Sequence, residues 1–119
     1  IEYHALLDQT PVRDYLASQG IPIVAYCPLA QGKFVDHPEL TAIGRKHGAS
    51  PTQVALKWLL DQDGVAAIPK AQRVESQKAN LAALALTLDD EDRRRIAALP
   101  KDKRLVNPPI APDWDRSVG

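Results

Sequence analysis

Two short stretches contain the residues whose types and spacing suit the binding of an anion. The first, residues 26–33 (YCPLAQGK), follows an apolar run and contains a proline, a glycine and a lysine. The second, residues 68–73 (IPKAQR), places Lys70 at the end of another apolar run and Arg73 at the start of a predicted helix. Backbone amides in a glycine-containing turn and the first turn of a helix both favour phosphate. The pattern indicates an anion site built from two turns.

Neither stretch is specific by itself. A proline-glycine-lysine turn is most often only a turn, and a lysine at a strand end is most often a solvated charge. The two stretches follow consecutive predicted strands, however, and ligands of βα proteins bind at the carboxyl ends of strands. The pairing therefore favours a binding site more than either stretch does.

The histidines and the cysteine do not form a catalytic or metal-binding set. We expect His37 and His47 at helix ends on the surface. Cys27 has no histidine close in sequence to activate it as a nucleophile, and no His/Cys group has metal-ligand spacing. We predict no metal site and name no catalytic residue in this chain.

Capping and stop signals divide the chain into helices and short strands. Asp36 with Glu39, and Ser50 with Gln53, have the spacing of capping boxes, and Thr10 is the predicted cap of the first helix. Both strands are apolar without polar alternation, which is typical of parallel strands covered on both faces. The spacing predicts helices at 10–20, 36–47, 50–63, 73–84 and 89–99, and strands at 21–26 and 65–70.

The alternation of short strands with helices predicts an α/β fold with a parallel sheet. The closed form of such a chain is a (β/α)₈ barrel of about 250 residues, so we expect the C-terminal part, about half, of a TIM barrel. Residues 1–101 would supply the last βα units and an auxiliary helix, and 102–119 an extended proline-rich tail of the same domain. The chain opens within an apolar run, without a start methionine or a targeting leader, and we expect it to be part of a longer protein.

Composition excludes several classes of partner. Fifteen Lys and Arg balance fifteen Asp and Glu, which does not favour nucleic acid. No apolar run approaches the roughly 20 residues that span a bilayer. The single cysteine, Cys27, cannot form an internal disulfide, which favours a reducing, cytoplasmic setting.

Five motifs along the chain are specific when they are taken together. They are EYH at 2–4, GIPIVAYCPLAQGK at 20–33, SPTQVALKW at 50–58, IPK at 68–70 with Asn80 ten residues later, and RLVNP at 104–108. By these motifs the chain resembles the aldo-keto reductases over essentially its whole length. The ending RLVNPPIAPDWD is also similar to the bacterial 2,5-diketo-D-gluconate reductases of the B type.

The resemblance implies a monomeric enzyme that passes a hydride from NADP(H) to a small aldehyde or keto-sugar acid. Tyr26 would stack on the nicotinamide, Asn80 would bond the adenine, and Trp114 would line the substrate mouth or fasten the tail. The pyrophosphate would lie along Cys27, Pro28, Leu29 and Gln31, and the adenosine 2′-phosphate would lie at Lys70, Ala71, Gln72 and Arg73.

Departures from the family pattern leave alternatives open. Cys27 and Ala71 replace serines that donate to phosphate, and Ser76 and Ala79 replace an arginine and a glutamate at the adenine. We therefore expect looser binding of the cofactor at its adenosine end, with Arg73 as the replacement cation.

The family's catalytic Asp, Tyr, Lys and His would lie outside this chain, which alone is expected to be inactive. A non-catalytic half-barrel remnant or interaction module, and a general phosphate-binding module, remain as alternatives.

Overall fold

Three parallel segments form the sheet. The computed structural model describes residues 1–111. Strands β1 (Ile23–Ala25) and β2 (Val65–Ala67) pair in parallel, with Ile23 opposite Val65. Residues 1–3 run along the other edge of β1, where Glu2 and Tyr26 form a parallel bridge and the Tyr26 amide donates to the Ile1 carbonyl at 2.8 Å. The segments lie in chain order, and parallel neighbours of this kind are joined by crossover connections.

Helices connect these segments, so the predicted α/β class is confirmed. One helix lies between residues 1–3 and β1, two lie between β1 and β2, and two follow β2. The helices are α1 (Thr10–Ser18), α2 (Pro38–His47), α3 (Pro51–Leu60), α4 (Val74–Ala82) and α5 (Asp90–Ala97), with single 3₁₀ turns at Ala30–Gly32 and Ala83–Ala85.

The caps of α3 and α5 are formed by local side chains. At α3, Ser50 Oγ accepts the Gln53 amide at 3.1 Å, and Gln53 Oε1 accepts the Ser50 amide at 3.0 Å. This is the predicted capping box, and Asp89 with Asp92 forms the same arrangement at α5. Both helices therefore begin within a residue or so of the predicted start.

The predicted caps of α1 and α2 are wrong by one residue. At α2 the cap is His37, whose Nδ1 accepts the Leu40 amide at 3.4 Å, and not Asp36. At α1, Thr10 already lies in the helix, and its amide donates to the Asp8 carboxylate at 2.9 Å. The cap residue of α1 is Gln9, whose side chain makes no capping hydrogen bond. At α2, Asp36 and His37 both offer an acceptor, and His37 is the one that caps the helix.

The main core lies between α2, α3 and α5. Gly44 of α2 permits close approach there, because a Cβ at this position would lie 2.4 Å from the Ala49 carbonyl oxygen. Trp58 packs against this core and against a smaller cluster of Tyr3, Ala25 and Leu59 behind the sheet, as expected for a core residue. The buried members of the main core are Ala5, Leu6, Ala30, Phe34, Leu40, Ile43, Val54, Ala55, Leu88 and Ile96.

The opposite face of the sheet is open. Ile23 and Ala25 are buried, but Val24 between them is 53% exposed and Ile68 beyond β2 is 60% exposed. The prediction that both faces are covered is therefore wrong for residues 1–111, because the helices pack against one face only. Tyr15 of α1 is also exposed.

The segment after Pro100 returns along the beginning of the chain. Leu7 and Asp102 form an antiparallel bridge, the Asp8 amide donates to the Lys101 carbonyl at 3.0 Å, and the Lys103 amide donates to the Leu6 carbonyl at 2.9 Å. Residues 101–103 therefore lie against residues 6–8. Residues 112–119, including Trp114, lie outside the described part of the chain.

Lys101 fixes the start of this segment. Its Nζ donates to the Ala5 carbonyl at 2.6 Å and to the Ile96 carbonyl at 2.8 Å, and it lies 4.7 Å from the centre of the Trp58 ring. Burial lowers the pKa of Lys101 to about 8. Within residues 1–111, no helix is long and apolar enough to span a membrane.

Candidate functional site

The turn after β1 has an unusual backbone. Cys27, Ala30 and Gln31 have φ values of 51°, 50° and 52°, and Gly32 follows at 84°. Residues other than glycine rarely adopt this left-handed conformation, which costs on the order of 1–3 kcal/mol each and is found most often at functional sites. The turn therefore stays in a conformation that its own residue types do not favour.

Packing and local hydrogen bonds hold this turn in place. Ala30 is buried, and so is Phe34, whose ring lies edge-on to His4 at a centroid distance of 6.2 Å. The amides of Ala30, Gly32 and Lys33 donate to carbonyls within the turn at 3.0–3.2 Å. These three amides are engaged, so the expectation that the amides after Pro28 face an anion does not hold for them.

A cavity of about 530 Å³ lies between this turn and the end of β2. It brings Lys70 together with Cys27, Pro28, Leu29 and Gln31, which are five of the predicted cofactor residues. The side chains of Gln31 and Cys27 also meet across the turn, with Nε2 4.0 Å from Sγ. The remaining lining residues are Gly32, Val35, Thr52 and Ile68.

Sequence reasoning missed Val35 and Thr52 as lining residues. Thr52 lies in the first turn of α3, after Pro51, and its position in SPTQ was explained by helix capping alone. The positive end of the α3 dipole and the Lys70 ammonium therefore lie on the same cavity, an arrangement that favours an anion. Strand-to-helix order was a usable signal for Thr52, because helix starts in βα units lie near the carboxyl ends of strands. For Val35 we find no such signal.

The other predicted cofactor residues do not line the cavity. Tyr26 directly follows β1, and the residue is 36% exposed on the open face. Arg73 is the residue before α4 and is exposed, and Asn80 is half-buried on α4. Gln72 is exposed, and the Ala71 carbonyl accepts Gln77 Nε2 at 3.2 Å.

His47 belongs to an ion-pair cluster between α2 and α5. Its Nε2 lies 2.6 Å from the buried carboxylate of Asp92, so the prediction of a simple surface residue is wrong. His47, Asp89 and Asp92 place ligand atoms within 4.8 Å of one another. Lys46 Nζ lies 2.5 Å from Asp89 and 3.1 Å from Asp92, so an ammonium already balances the carboxylates. We assign this cluster to helix packing.

Glu2 and His4 form a buried polar pair beside the site. Burial would raise the pKa of Glu2, but the amides of Leu105 and Val106, together with His4, lower it overall. Burial lowers the pKa of His4, and its contact with Glu2 offsets this only in part. Both groups are therefore held in the forms they have at neutral pH, a carboxylate and an uncharged imidazole.

Comparisons with known proteins place the chain among one group of enzymes. Residues 1–101 match the profile of the aldo/keto reductase family. Methylglyoxal reductase DkgB of Yersinia pestis is 38% identical over 97% of this chain and 43% of its own length. Glyoxal reductase of Bacillus subtilis is 41% identical over 88% of this chain and 38% of its own length.

Solved structures give the same result. A crystal structure assigned as 2,5-diketo-D-gluconic acid reductase B matches with a TM-score of 0.90 and 37% identity, over 97% of this chain and 42% of the other. A mutant of Gox0644 in complex with NADPH matches with a TM-score of 0.83 and 29% identity, over 90% of this chain and 40% of the other. The chain thus spans about two fifths of the length of these relatives.

Proposed function

The chain belongs to the aldo/keto reductase family, and we propose that it supplies the cofactor-binding part of an NADP(H)-dependent reductase of small carbonyl compounds. The observation that carries this proposal is the cavity in which the strained turn after β1 faces Lys70. It lies at the carboxyl ends of two parallel strands, where βα proteins bind ligands. The NADPH complex of a relative supports the choice of cofactor.

The residues present fit such a cofactor. A cavity of about 530 Å³ is within the usual size of ligand sites. Lys70 would pair with the 2′-phosphate, helped by Ala71, Gln72 and Arg73, and the stretch from Cys27 to Gln31 would hold the pyrophosphate. The exposed ring of Tyr26 would orient the nicotinamide, which supplies a hydride when bound, and Asn80 would bond the adenine.

We propose that the rest of the enzyme completes a (β/α)₈ barrel around the open face of the sheet. Val24, Tyr26 and Ile68 leave apolar surface there that the helices of this chain do not cover. Residues 1–101 would then be the last βα units with an auxiliary helix, and 102–119 the tail of the same domain. The catalytic groups would come from the rest of the barrel, so the isolated chain would be inactive.

The substrate of the complete enzyme is proposed from its relatives. Those compared above are named for methylglyoxal, glyoxal and 2,5-diketo-D-gluconic acid, which all carry more than one carbonyl group. We propose a small dicarbonyl compound or keto-sugar acid, with Trp114 near the substrate mouth. A monomeric, cytoplasmic enzyme is part of the same proposal.

Two observations favour a second candidate, a non-catalytic half barrel that associates with a partner. Among residues 1–111, no acid or base faces the cavity except Lys70 and Cys27, and the open face suits association. The coding sequence upstream of Ile1 distinguishes the two candidates. Further βα units containing an Asp, Tyr, Lys and His support the reductase, whereas a stop codon or an unrelated domain supports the half barrel.

Titration of the complete protein with NADPH, followed by intrinsic fluorescence, tests the proposed function. Lys70→Ala should weaken NADPH binding roughly ten- to a hundredfold, since a charge-assisted contact to phosphate is lost. It should change NADH binding little, because NADH lacks the 2′-phosphate.

The matched control is Lys33→Ala, which removes an exposed lysine of the same turn that does not line the cavity. It should leave NADPH affinity unchanged. No saturable signal with NADPH, or equal losses in the two variants, would overturn the assignment. Competition by an adenine-free sugar phosphate as strong as that by NADPH would favour a general phosphate-binding module instead.

A further inference from the structure

The turn between α3 and β2 contains an aspartate followed directly by a glycine. In this turn, at residues 62–65, the Val65 amide donates to the Gln62 carbonyl at 3.3 Å. Its two central residues are Asp63 and Gly64, and Gly64 has a φ of 72° whereas Asp63 does not have a positive φ. A positive φ at the third residue alone is typical of a type II turn, and glycine adopts it without strain.

The side chain of Asp63 and the amide of Gly64 are both accessible. Each of the two residues is exposed. Within residues 1–111, the Asp63 carboxylate has no hydrogen-bond or ion-pair partner, and the Gly64 amide donates to no acceptor. A Cβ built on Gly64 would meet no atom within 4 Å other than those of its chain neighbours. The space around this amide is therefore open.

An accessible carboxyl group next to such an amide can close a five-membered ring. The Gly64 nitrogen attacks Cγ of Asp63, a bond forms between these two atoms, and one water leaves, which gives a succinimide. One water then adds to either carbonyl carbon of the ring and restores aspartate or gives isoaspartate. The sequence of steps needs no oxidant or reductant. Glycine favours it because no side chain crowds the attacking nitrogen.

A second exposed aspartate, Asp102, lacks these features. The amide that follows it belongs to Lys103 and donates to the Leu6 carbonyl at 2.9 Å. Asp102 itself forms an antiparallel bridge with Leu7. The nitrogen after Asp102 is thus engaged and carries a side chain on its Cα, whereas the nitrogen after Asp63 is free to react.

We propose that Asp63 is a site of spontaneous covalent modification, at which the folded protein forms a succinimide and then isoaspartate. The Gly64 carbonyl accepts the Ile23 amide at 2.7 Å, where the pairing of β1 with β2 begins. Isoaspartate routes the main chain through Cβ and Cγ and so lengthens it by one carbon directly before this bond. The modified protein should therefore pair its two strands less well. This inference does not depend on the proposed function.

Ageing of the complete protein in neutral buffer at physiological temperature tests the inference. Peptide mapping separates isoaspartate from aspartate by retention at equal mass, and it detects the succinimide as a peptide lighter by one water. We expect isoaspartate to form at Asp63 at least about fivefold faster than at Asp102, because the Lys103 amide must first break its bond to Leu6. The melting temperature should fall as the modified fraction grows.

The matched variant is Asp63→Glu, which keeps the exposed charge but would have to close a six-membered ring. The fresh variant should melt like the wild type and should keep its melting temperature on ageing. Wild-type protein aged in denaturant shows whether the sequence itself reacts. A native protein that stays unmodified while the denatured one reacts, or equal rates at Asp63 and Asp102, would overturn the inference. An equal loss of melting temperature in the aged glutamate variant would overturn the effect on strand pairing.

Discussion

The helical side of the molecule and the turn after β1 differ in how well their conformation suits their residue types. In the core between α2, α3 and α5, each helix begins at a side-chain cap and the apolar residues are buried. In the turn, three residues other than glycine have positive φ, and the surface opens into a cavity. The first region gains free energy from packing and the second costs free energy.

The difference shows where the strain of the turn is compensated. Ala30 and Phe34 belong both to the turn segment and to the main core, so burial of these side chains holds the turn against its local preferences. Strained backbone persists only where the surrounding structure over-determines it. A binding surface of this kind is therefore prepared before its ligand arrives.

The largest expected effect on stability comes from truncating Phe34, which belongs both to the turn segment and to the main core. Phe34→Ala should lower the free energy of unfolding of the complete protein by about 3–5 kcal/mol, the usual loss for a fully buried phenylalanine. It should also weaken NADPH binding, because the turn loses its anchor. Urea denaturation and NADPH titration measure the two effects.

The neighbouring Val35 provides the control for this prediction. Its side chain is 61% exposed, so Val35→Ala should change stability by less than about 0.5 kcal/mol. Equal stabilities of the Phe34→Ala and Val35→Ala proteins would show that the core does not hold the turn.

Acid should destabilise the folded chain through the buried pair of Glu2 and His4. The pKa of His4 lies below its ordinary 6.5, mainly because the ring is buried, with Lys101 and Arg104 adding to the effect and Glu2 opposing it. The unfolded chain therefore takes up this proton first, and stability should fall as the pH drops below 6.5. The pKa of Glu2 is also lowered, so a second loss should follow below pH 4.5.

Denaturant unfolding at a series of pH values measures this effect. The His4→Asn protein should lose less stability between pH 6.5 and pH 5 than the wild type does. A wild-type stability that stays constant over that range would contradict the assignment of a buried, uncharged histidine.

The smallest expected effect is that of a substitution to glycine, which should raise stability in the turn and lower it in a helix. Gln31→Gly should raise stability by up to about 1 kcal/mol, because glycine adopts the left-handed conformation of the turn without strain. It should also weaken NADPH binding, since Gln31 lines the cavity. Gln77→Gly, in the exposed part of α4, should instead lower stability by about 1 kcal/mol. Thermal unfolding compares the two, and a loss in both would mean that the turn is not strained.

The sequence predicted the helices well because their signals are local. The Ser50–Gln53 box spans four residues, and its partners lie close whenever the helix forms. The error at α2, where His37 and not Asp36 is the cap, arose because both residues offer an acceptor at nearly the same place. The prediction that both faces of the sheet are covered was wrong for a different reason. Val24 is apolar whether or not another part of the protein covers it, so its residue type does not show its exposure.

Half of the candidate site could be predicted in the same way. Lys70 and the turn from Cys27 were identified because strand ends in an α/β fold meet at one edge, and the structure places them on one cavity. The resemblance supplied roles for Tyr26, Arg73 and Asn80, which stay predictions. Thr52 was missed because helix capping already explains the residues SPTQ at the start of α3, so nothing in them indicates a cavity.

By itself, the sequence determined the order of the elements, most of their boundaries and the family, since these depend on neighbouring residues and short motifs. Only the tertiary structure decided the positive φ of Ala30, the buried Asp92 beside His47, and the attachment of the tail to Glu2. Each depends on contacts between residues far apart in the chain or on packing around the segment, and the Glu2 contacts cross more than 100 residues. Local patterns carry no information about such contacts, because their free energy exists only once the chain has folded.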